Sequence, residues 1–411
     1  MRVRFYLLGL AVSLLAACTV APETPTGKSL PDNGWLFLGK APYTLNTKVQ
    51  AAPGPASFCL VTDRSLLSPE PDMVLQADVT VAPDSTVSIA LGALEPGFYQ
   101  VRLRDSVRFN IGVRPDRVVS APDAQPDFDA FWERTLTELA AVPLEAEWTP
   151  IPEASNEVRT TYDVRYPSLG GVTSGGTVCI PNAPGKYPVY IHYMGYGSEV
   201  FRFDPSAAPD RIEMLVSVRR QGLFKTASER WVSQGLENKE TYYYRGAFCD
   251  VKRSVEFAAT LEKADPDRMV VLGESQGGAF SAVAAALDPR LKAASLAVPF
   301  LGDYPDYARI VSWPMNQVFE EADEKGIGRE ELFRTLSYFD VKNFAPRICC
   351  PVIMAFGLQD PTCPPHTNFA IYNNLGTRDK RFICIPTCGH AMWKEKDWPA
   401  IRDAFLAEYL Q

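Results

Sequence analysis

From Asp127 onward, apolar strand patterns alternate with helical ones, the mark of a mostly parallel sheet covered by helices. Residues 35–114 behave differently: they lack a long helical period and show short runs of alternating polar and apolar residues. Together these predict an α/β protein in which a small β-sandwich precedes a large sheet-and-helix domain. The chain has 411 residues and a net charge of −8, with 41 basic and 49 acidic side chains. Hydrophobic residues make up 46% and charged residues 22%, which excludes a disordered chain. The acidic balance argues against nucleic acid as a partner, since that needs a basic face to displace counterions.

Residues 1–18 read as an address. Arg2 and Arg4 precede an apolar run from Phe5 to Ala17, too short to span a bilayer. Leu15-Ala16-Ala17-Cys18 resembles a bacterial lipobox, so Cys18 is the expected lipidation site. The expected protein is exported and tethered to a bacterial membrane by acyl chains alone. Residues 19–34, rich in Pro, Thr, Gly and Asn, read as the tether.

Within residues 35–114, Ser85–Leu91 and Gln100–Arg104 alternate as strands with one buried face. Between them Leu94-Glu-Pro-Gly-Phe-Tyr99 resembles the tyrosine corner of immunoglobulin-like sandwiches, whose phenol bonds back to nearby backbone. Three prolines mark residues 115–126 as a linker. The domain 127–411 then offers strands at Pro188–Tyr193, Met214–Val218, Met269–Leu272 and Pro351–Phe356. A helix is predicted from Tyr243 to Leu261, with Ala247, Phe248, Val251, Val255 and Ala258 on one stripe. Of the nine cysteines, Cys179, Cys249 and Cys384 sit in apolar patterns and read as buried thiols, while others are candidates for pairing in an exported protein. No Cys-x-x-Cys unit occurs and only three histidines do, so neither a metal nor another cofactor is expected.

The sharpest local pattern is Gly273-Glu274-Ser275-Gln276-Gly277-Gly278, after an apolar strand and before the Ala-rich helix Ala279–Leu287. A strand-to-helix turn this tight leaves no room for side chains at its flanks, so Gly273 and Gly277 are supporting residues. The turn lifts the Ser275 hydroxyl clear of the sheet and aims the N–H of Gln276 at a developing oxyanion. A serine needs a base, and in this arrangement the chain order is Ser, then Asp, then His. His192 precedes Ser275, and His366 lies only six residues past the best acid candidate, which leaves His390. Asp360 directly follows the buried-strand run Pro351–Phe356; Asp303, Asp306 and Asp340 are rivals without such a strand. The loop Met194-Gly195-Tyr196-Gly197 suits the second oxyanion donor, through the N–H of Tyr196.

At this point the chain resembles the carbohydrate esterase family of acetyl xylan esterases and cephalosporin C deacetylases. The resemblance runs from Pro126-Asp-Phe-Asp-Ala-Phe-Trp132 to the end, through Gly195–Gly197, Arg219-Arg220-Gln221-Gly222, Tyr242–Gly246 with Asp250, Gly273–Gly278, Val298–Leu301 and Gly357–Asp360 with Pro364-Pro365. It implies an α/β-hydrolase fold, metal-free hydrolysis of acetyl esters, a triad on Ser275, Asp360 and His390, and oxyanion donors at Tyr196 and Gln276. Arg219 and Gln221 become supporting residues on the same ground. Three positions depart from the family pattern: Arg220 stands where a glycine is usual, Ala391 where a glutamate follows the histidine, and Glu274 where the residue before the nucleophile is often glycine. The family's ring of subunits is set against a lipid tether and an added β domain, so a homo-oligomer is left open. The expected function is an exported serine esterase acting on an acetylated oligosaccharide or a small acetyl ester. A prolyl-oligopeptidase-like peptidase is one alternative, although no propeller fits ahead of residue 127. A catalytically silent glycan-binding lipoprotein is the other.

Overall fold

A computed structural model describes residues 26–29, 34–104, 106–226 and 230–411. The signal segment and Cys18 lie outside the described residues. The chain belongs to the α/β-hydrolase fold, and its centre is a ten-stranded sheet. Along the sheet the strands run Thr26–Ser29, Lys380–Ile385, Val352–Gly357, Leu291–Ala297, Ala264–Glu274, Tyr187–Tyr193, Ile212–Ser217, Thr173–Pro181, Arg159–Pro167 and Glu147–Pro150. The first seven pair in parallel, the last three antiparallel. Thr26–Ser29 lies inside the segment expected to be tether, and instead adds the edge strand beside Lys380–Ile385.

Strands Ile212–Ser217 and Val352–Gly357 are buried on both faces, which explains why their sequences read as nearly unbroken apolar runs. The helix Tyr243–Thr260 buries the whole predicted stripe, from Ala247 to Ala258. Strand Tyr187–Tyr193 pairs with Ile212–Ser217 on one side and Ala264–Glu274 on the other, so the chain reverses its winding there. The crevice beyond the carboxyl ends of two such strands is where open α/β sheets bind ligands.

The region ahead of residue 115 holds a five-stranded and a two-stranded sheet. Leu45, Ile89, Phe58, Val101 and Ile111 from both sheets share one core. The Tyr99 hydroxyl donates to the Glu95 carbonyl at 2.7 Å, the backbone contact its sequence context predicts. On the outward face Phe98 packs against Phe356 and Phe369, at ring separations of 6.5 and 5.7 Å. The segment 115–126 is strapped down: Asn373 Nδ2 donates to the carbonyls of Pro115 and Val118, and Asn374 Nδ2 to that of Ser120. Cys179, Cys249 and Cys384 are buried, as their apolar contexts predict. Among the described residues, no helix is long and apolar enough to cross a membrane.

Candidate active site

Ser275 sits between strand Ala264–Glu274 and helix Gln276–Leu287 with φ 60° and ψ −120°, a strained conformation for a side chain-bearing residue. The flanking glycines make it attainable. A Cβ on Gly273 would lie 2.3 Å from the Gly277 carbonyl oxygen, and one on Gly277 would lie 2.1 Å from that of Tyr193. Gln276 opens the helix, so its N–H has no carbonyl four residues back within the helix to bond.

Strand Val352–Gly357 delivers Asp360 to the same sheet edge. Asp360 is buried, and its Oδ1 accepts the N–H groups of Thr362 and Cys363 at 2.7 and 2.9 Å. Its Oδ2 lies 2.8 Å from His390 Nδ1. Gly357 allows the approach, since a Cβ there would meet the Gly389 carbonyl at 2.2 Å. Burial works against charge on His390, but the hydrogen bond and charge of Asp360, with Glu274 nearby, outweigh it and raise the imidazole above its ordinary 6.5. Ser275 and His390 line one cavity of about 440 Å³ with Tyr196, Glu274, Trp313 and Trp393. The two side chains share that wall without a direct hydrogen bond; the Ser275 Oγ has Cys363 Sγ as its neighbour at 4.0 Å. Such contacts often tighten only around bound substrate.

Tyr196 stands on the loop beyond strand Tyr187–Tyr193, facing the same cavity. Gln221 ties the loop after strand Tyr187–Tyr193 to the start of helix Gln276–Leu287. Its Oε1 accepts the Gly197 N–H at 3.2 Å and the Gln276 Nε2 at 3.0 Å, while its Nε2 donates to the Tyr243 hydroxyl at 2.9 Å. Arg219 supports from behind through a two-point pair with Asp250, both contacts at 2.8 Å, and lies so close to Gly246 that a Cβ there would clash with it. Arg220 has φ 63°, in the left-handed region, which accounts physically for glycine being usual at that position.

The other two histidines are elsewhere. His192 is half-buried on its strand, its Nε2 without a hydrogen bond and 3.9 Å from Glu213, and desolvation holds it well below 6.5. His366 is locked between Asp63 and Asp306 at the domain seam. Asp303 and Asp340, the rival acids, form a separate cluster around Lys342 and the N–H groups of Asp303 and Tyr304. Residue patterns missed three contributors. Cys363 adjoins Ser275. Glu274 Oε1 accepts the Met392 N–H at 2.9 Å and so holds the loop after His390, and burial pushes its carboxyl up to about 7. Asn110 of the β domain grips Gln359, the neighbour of Asp360: its N–H donates to Gln359 Oε1 at 2.7 Å and its carbonyl accepts Gln359 Nε2 at 3.0 Å. Only the motif context of Asp360 hinted at Gln359; nothing local marks Asn110.

This geometry has relatives. The family model described as acetyl xylan esterase matches residues 118–396. The acetyl esterase Axe7A of Xylanibacter ruminicola is 27% identical over 334 residues, covering 75% of this chain and 74% of that protein. The crystal structure of acetyl xylan esterase 1 from Thermoanaerobacterium sp. superposes with a TM-score of 0.64 at 27% identity, covering 72% of this chain and 98% of that one. The acetyl xylan esterase from Paenibacillus sp. R4 gives 0.65 at 30% identity, with 72% and 99% covered. The chain therefore belongs to the acetyl xylan esterase family and is a carboxylic ester hydrolase.

Proposed function

We propose that this protein is an exported, lipid-anchored serine esterase that removes acetyl groups from acetylated saccharides through Ser275, His390 and Asp360. The observation that carries the reading is the meeting of a strained elbow serine with a histidine backed by a buried carboxylate in one cavity. His390 takes the proton of Ser275 as that oxygen attacks the acetyl carbonyl. The N–H groups of Tyr196 and Gln276 hold the oxyanion, where fixed donors in a partly dry cleft act more strongly than water. The C–O bond to the sugar breaks, and His390 returns the proton to the departing sugar oxygen. Water, deprotonated by His390, then attacks the acetyl-Ser275 ester and releases acetate. Asp360 holds the imidazole in the tautomer with hydrogen on Nδ1 and stabilises its charged form. No step calls on a metal or cofactor.

The β domain is read as an immunoglobulin-like sandwich; its two sheets over one core and the Tyr99–Glu95 bond support this. Lipidation at Cys18 rests on the segment Leu15–Cys18. The functional test is acetate release from a panel of acetylated saccharides beside propionyl and butyryl esters. Labelling of Ser275 by a fluorophosphonate, lost in Ser275→Ala, is the expected result. Cleavage of aminoacyl-proline amides without acetate release would favour a peptidase. For the anchor, mass spectrometry should find an acylated N-terminal Cys18; an unmodified thiol there would refute it.

A further inference from the structure

A cavity of about 470 Å³ lies on the seam between the β domain and the catalytic domain. Its β-domain wall follows from strand alternation. On strand Gly97–Leu103, Tyr99, Val101 and Leu103 point into the sandwich core, so Phe98, Gln100 and Arg102 point outward. On strand Val107–Val113, Arg108 and Asn110 share that outward face. The register sets Arg102 directly opposite Arg108, with Cβ atoms ~4.5–5.5 Å apart. Like charges in that position destabilise a sheet unless something neutralises them. Among the described residues neither guanidinium pairs with a carboxylate; Arg102 Nε donates to the neutral Gln100 Oε1 at 2.8 Å. The two carboxylates lining the cavity are already engaged by histidines, Asp63 by His366 at 3.1 Å and Asp360 by His390 at 2.8 Å.

The cavity also adjoins the active site. Ile310, Val311 and Pro361 line it, while Trp313 and Thr362 of the same two segments line the cavity that holds Ser275. The two cavities therefore flank the same two segments, 310–313 and 361–362, which sets the arginine pair on the neighbouring side of the site from Ser275.

We propose that this seam cavity is a substrate subsite in which Arg102 and Arg108 together bind an anionic substituent, a carboxylate or a sulfate, carried by the acetylated saccharide. The inference rests on the esterase reading above and names the substrate class for it. Guanidinium groups suit the task because their planar donors match the oxygens of such anions two at a time. The β domain then acts as a specificity element as well as a support.

The test compares kcat/KM for acetate release from three acetylated oligosaccharides of equal length: neutral, uronate-bearing and sulfated. The full chain should favour a charged substrate by about tenfold, mainly through KM, the scale of one charge-assisted contact. That preference should shrink as salt is added. The double variant Arg102→Gln/Arg108→Gln should lose it, while p-nitrophenyl acetate and the neutral oligosaccharide are turned over as before. The better of the two charged substrates identifies the anion. Equal kcat/KM on all three substrates, or a preference that survives both substitutions, would overturn the subsite. If the double variant does not fold, Arg108→Gln alone serves, since Arg108 is exposed. If no substrate releases acetate, the esterase reading fails by itself. Calorimetric titration with the deacetylated uronate oligosaccharide then decides the subsite: binding that Arg108→Gln weakens supports it, and no binding by the full chain refutes it.

Discussion

His366 and His390 are built from the same parts, an imidazole with Nδ1 against an aspartate, at 3.1 Å in one case and 2.8 Å in the other. Their surroundings separate them. His366 is 2% exposed, and a second carboxylate, Asp306, lies 3.3 Å from its other nitrogen. Burial and Arg64, whose Nε lies 3.2 Å from Nε2, oppose its charge, but Asp63 and Asp306 overcome both and push it up to about 9. His390 faces the cavity with a side chain 23% exposed and has a carboxylate on one nitrogen alone. A base must hand its proton back, and an imidazolium clamped at both ends cannot. In the proposed mechanism the same chemistry therefore serves as a rivet at the domain seam and as a proton carrier at the rim. What divides the roles is the second carboxylate and access to solvent.

Substitutions around the two histidines should separate their roles. Ser275→Ala and His390→Ala should each cut kcat by a factor of ~10⁴–10⁶ without changing the melting temperature much, as read by acetate release and thermal unfolding. If His366→Gln produced the same loss in a folded protein, the division of roles would be wrong. Asp360→Asn should cost ~10³–10⁴ in kcat, because the imidazole loses its orienting acceptor and sits in the wrong tautomer. His366→Gln should instead destabilise the fold by ~1–3 kcal/mol, since Asp63 loses its charged partner while Asp306 keeps Arg64 and Arg309, and kcat per folded molecule is kept. Denaturant titration beside active-site labelling separates these effects. Gln359→Ala should cost ~1–2 kcal/mol through the unmade Asn110 bonds, with a modest fall in kcat from a looser Asp360.

The two histidines also part in pH dependence. The folded pKa of His366 is raised from 6.5 to about 9. Its contribution to stability is therefore complete below pH ~6.5 and is lost as pH rises through about 9, a total of ~3 kcal/mol at most. Asp306 runs the other way: lowered to about 2, it contributes above its ordinary value of 3.8 and loses that as pH falls toward 2. In the proposed mechanism activity follows His390, since an imidazole accepts a proton only when neutral. With its pKa raised, kcat/KM should climb across a midpoint above 6.5. Melting curves and rate profiles taken between pH 5 and 10 on the protein and on His366→Gln check both signs. The variant should lose the alkaline fall in stability and keep the rate profile.

Much of the catalytic domain was legible because its signals are local. An unbroken apolar run means a strand buried on both faces, and helix Tyr243–Thr260 declared its stripe at three- and four-residue steps. The elbow was legible for a steric reason: only glycine fits at 273 and 277, so the backbone left its mark in residue type. With three histidines in the chain, order and strand context were enough to favour His390. Residues 26–29 were harder, because a short edge strand paired on one side needs no apolar alternation. The grip of Asn110 on Gln359 joins residues 249 apart. Such a pair has no period and no composition.

By itself the sequence determined the kinds of elements, their order, and which serine, aspartate and histidine stand at strand ends, since each depends on neighbours a few residues away. Tertiary structure alone decided which carboxylates share a histidine, that Glu274 braces the loop after His390, and that the β domain leans on the loop carrying Asp360. Those choices depend on which surfaces meet after the chain has folded, and burial, more than residue type, then sets what each ionisable group can do.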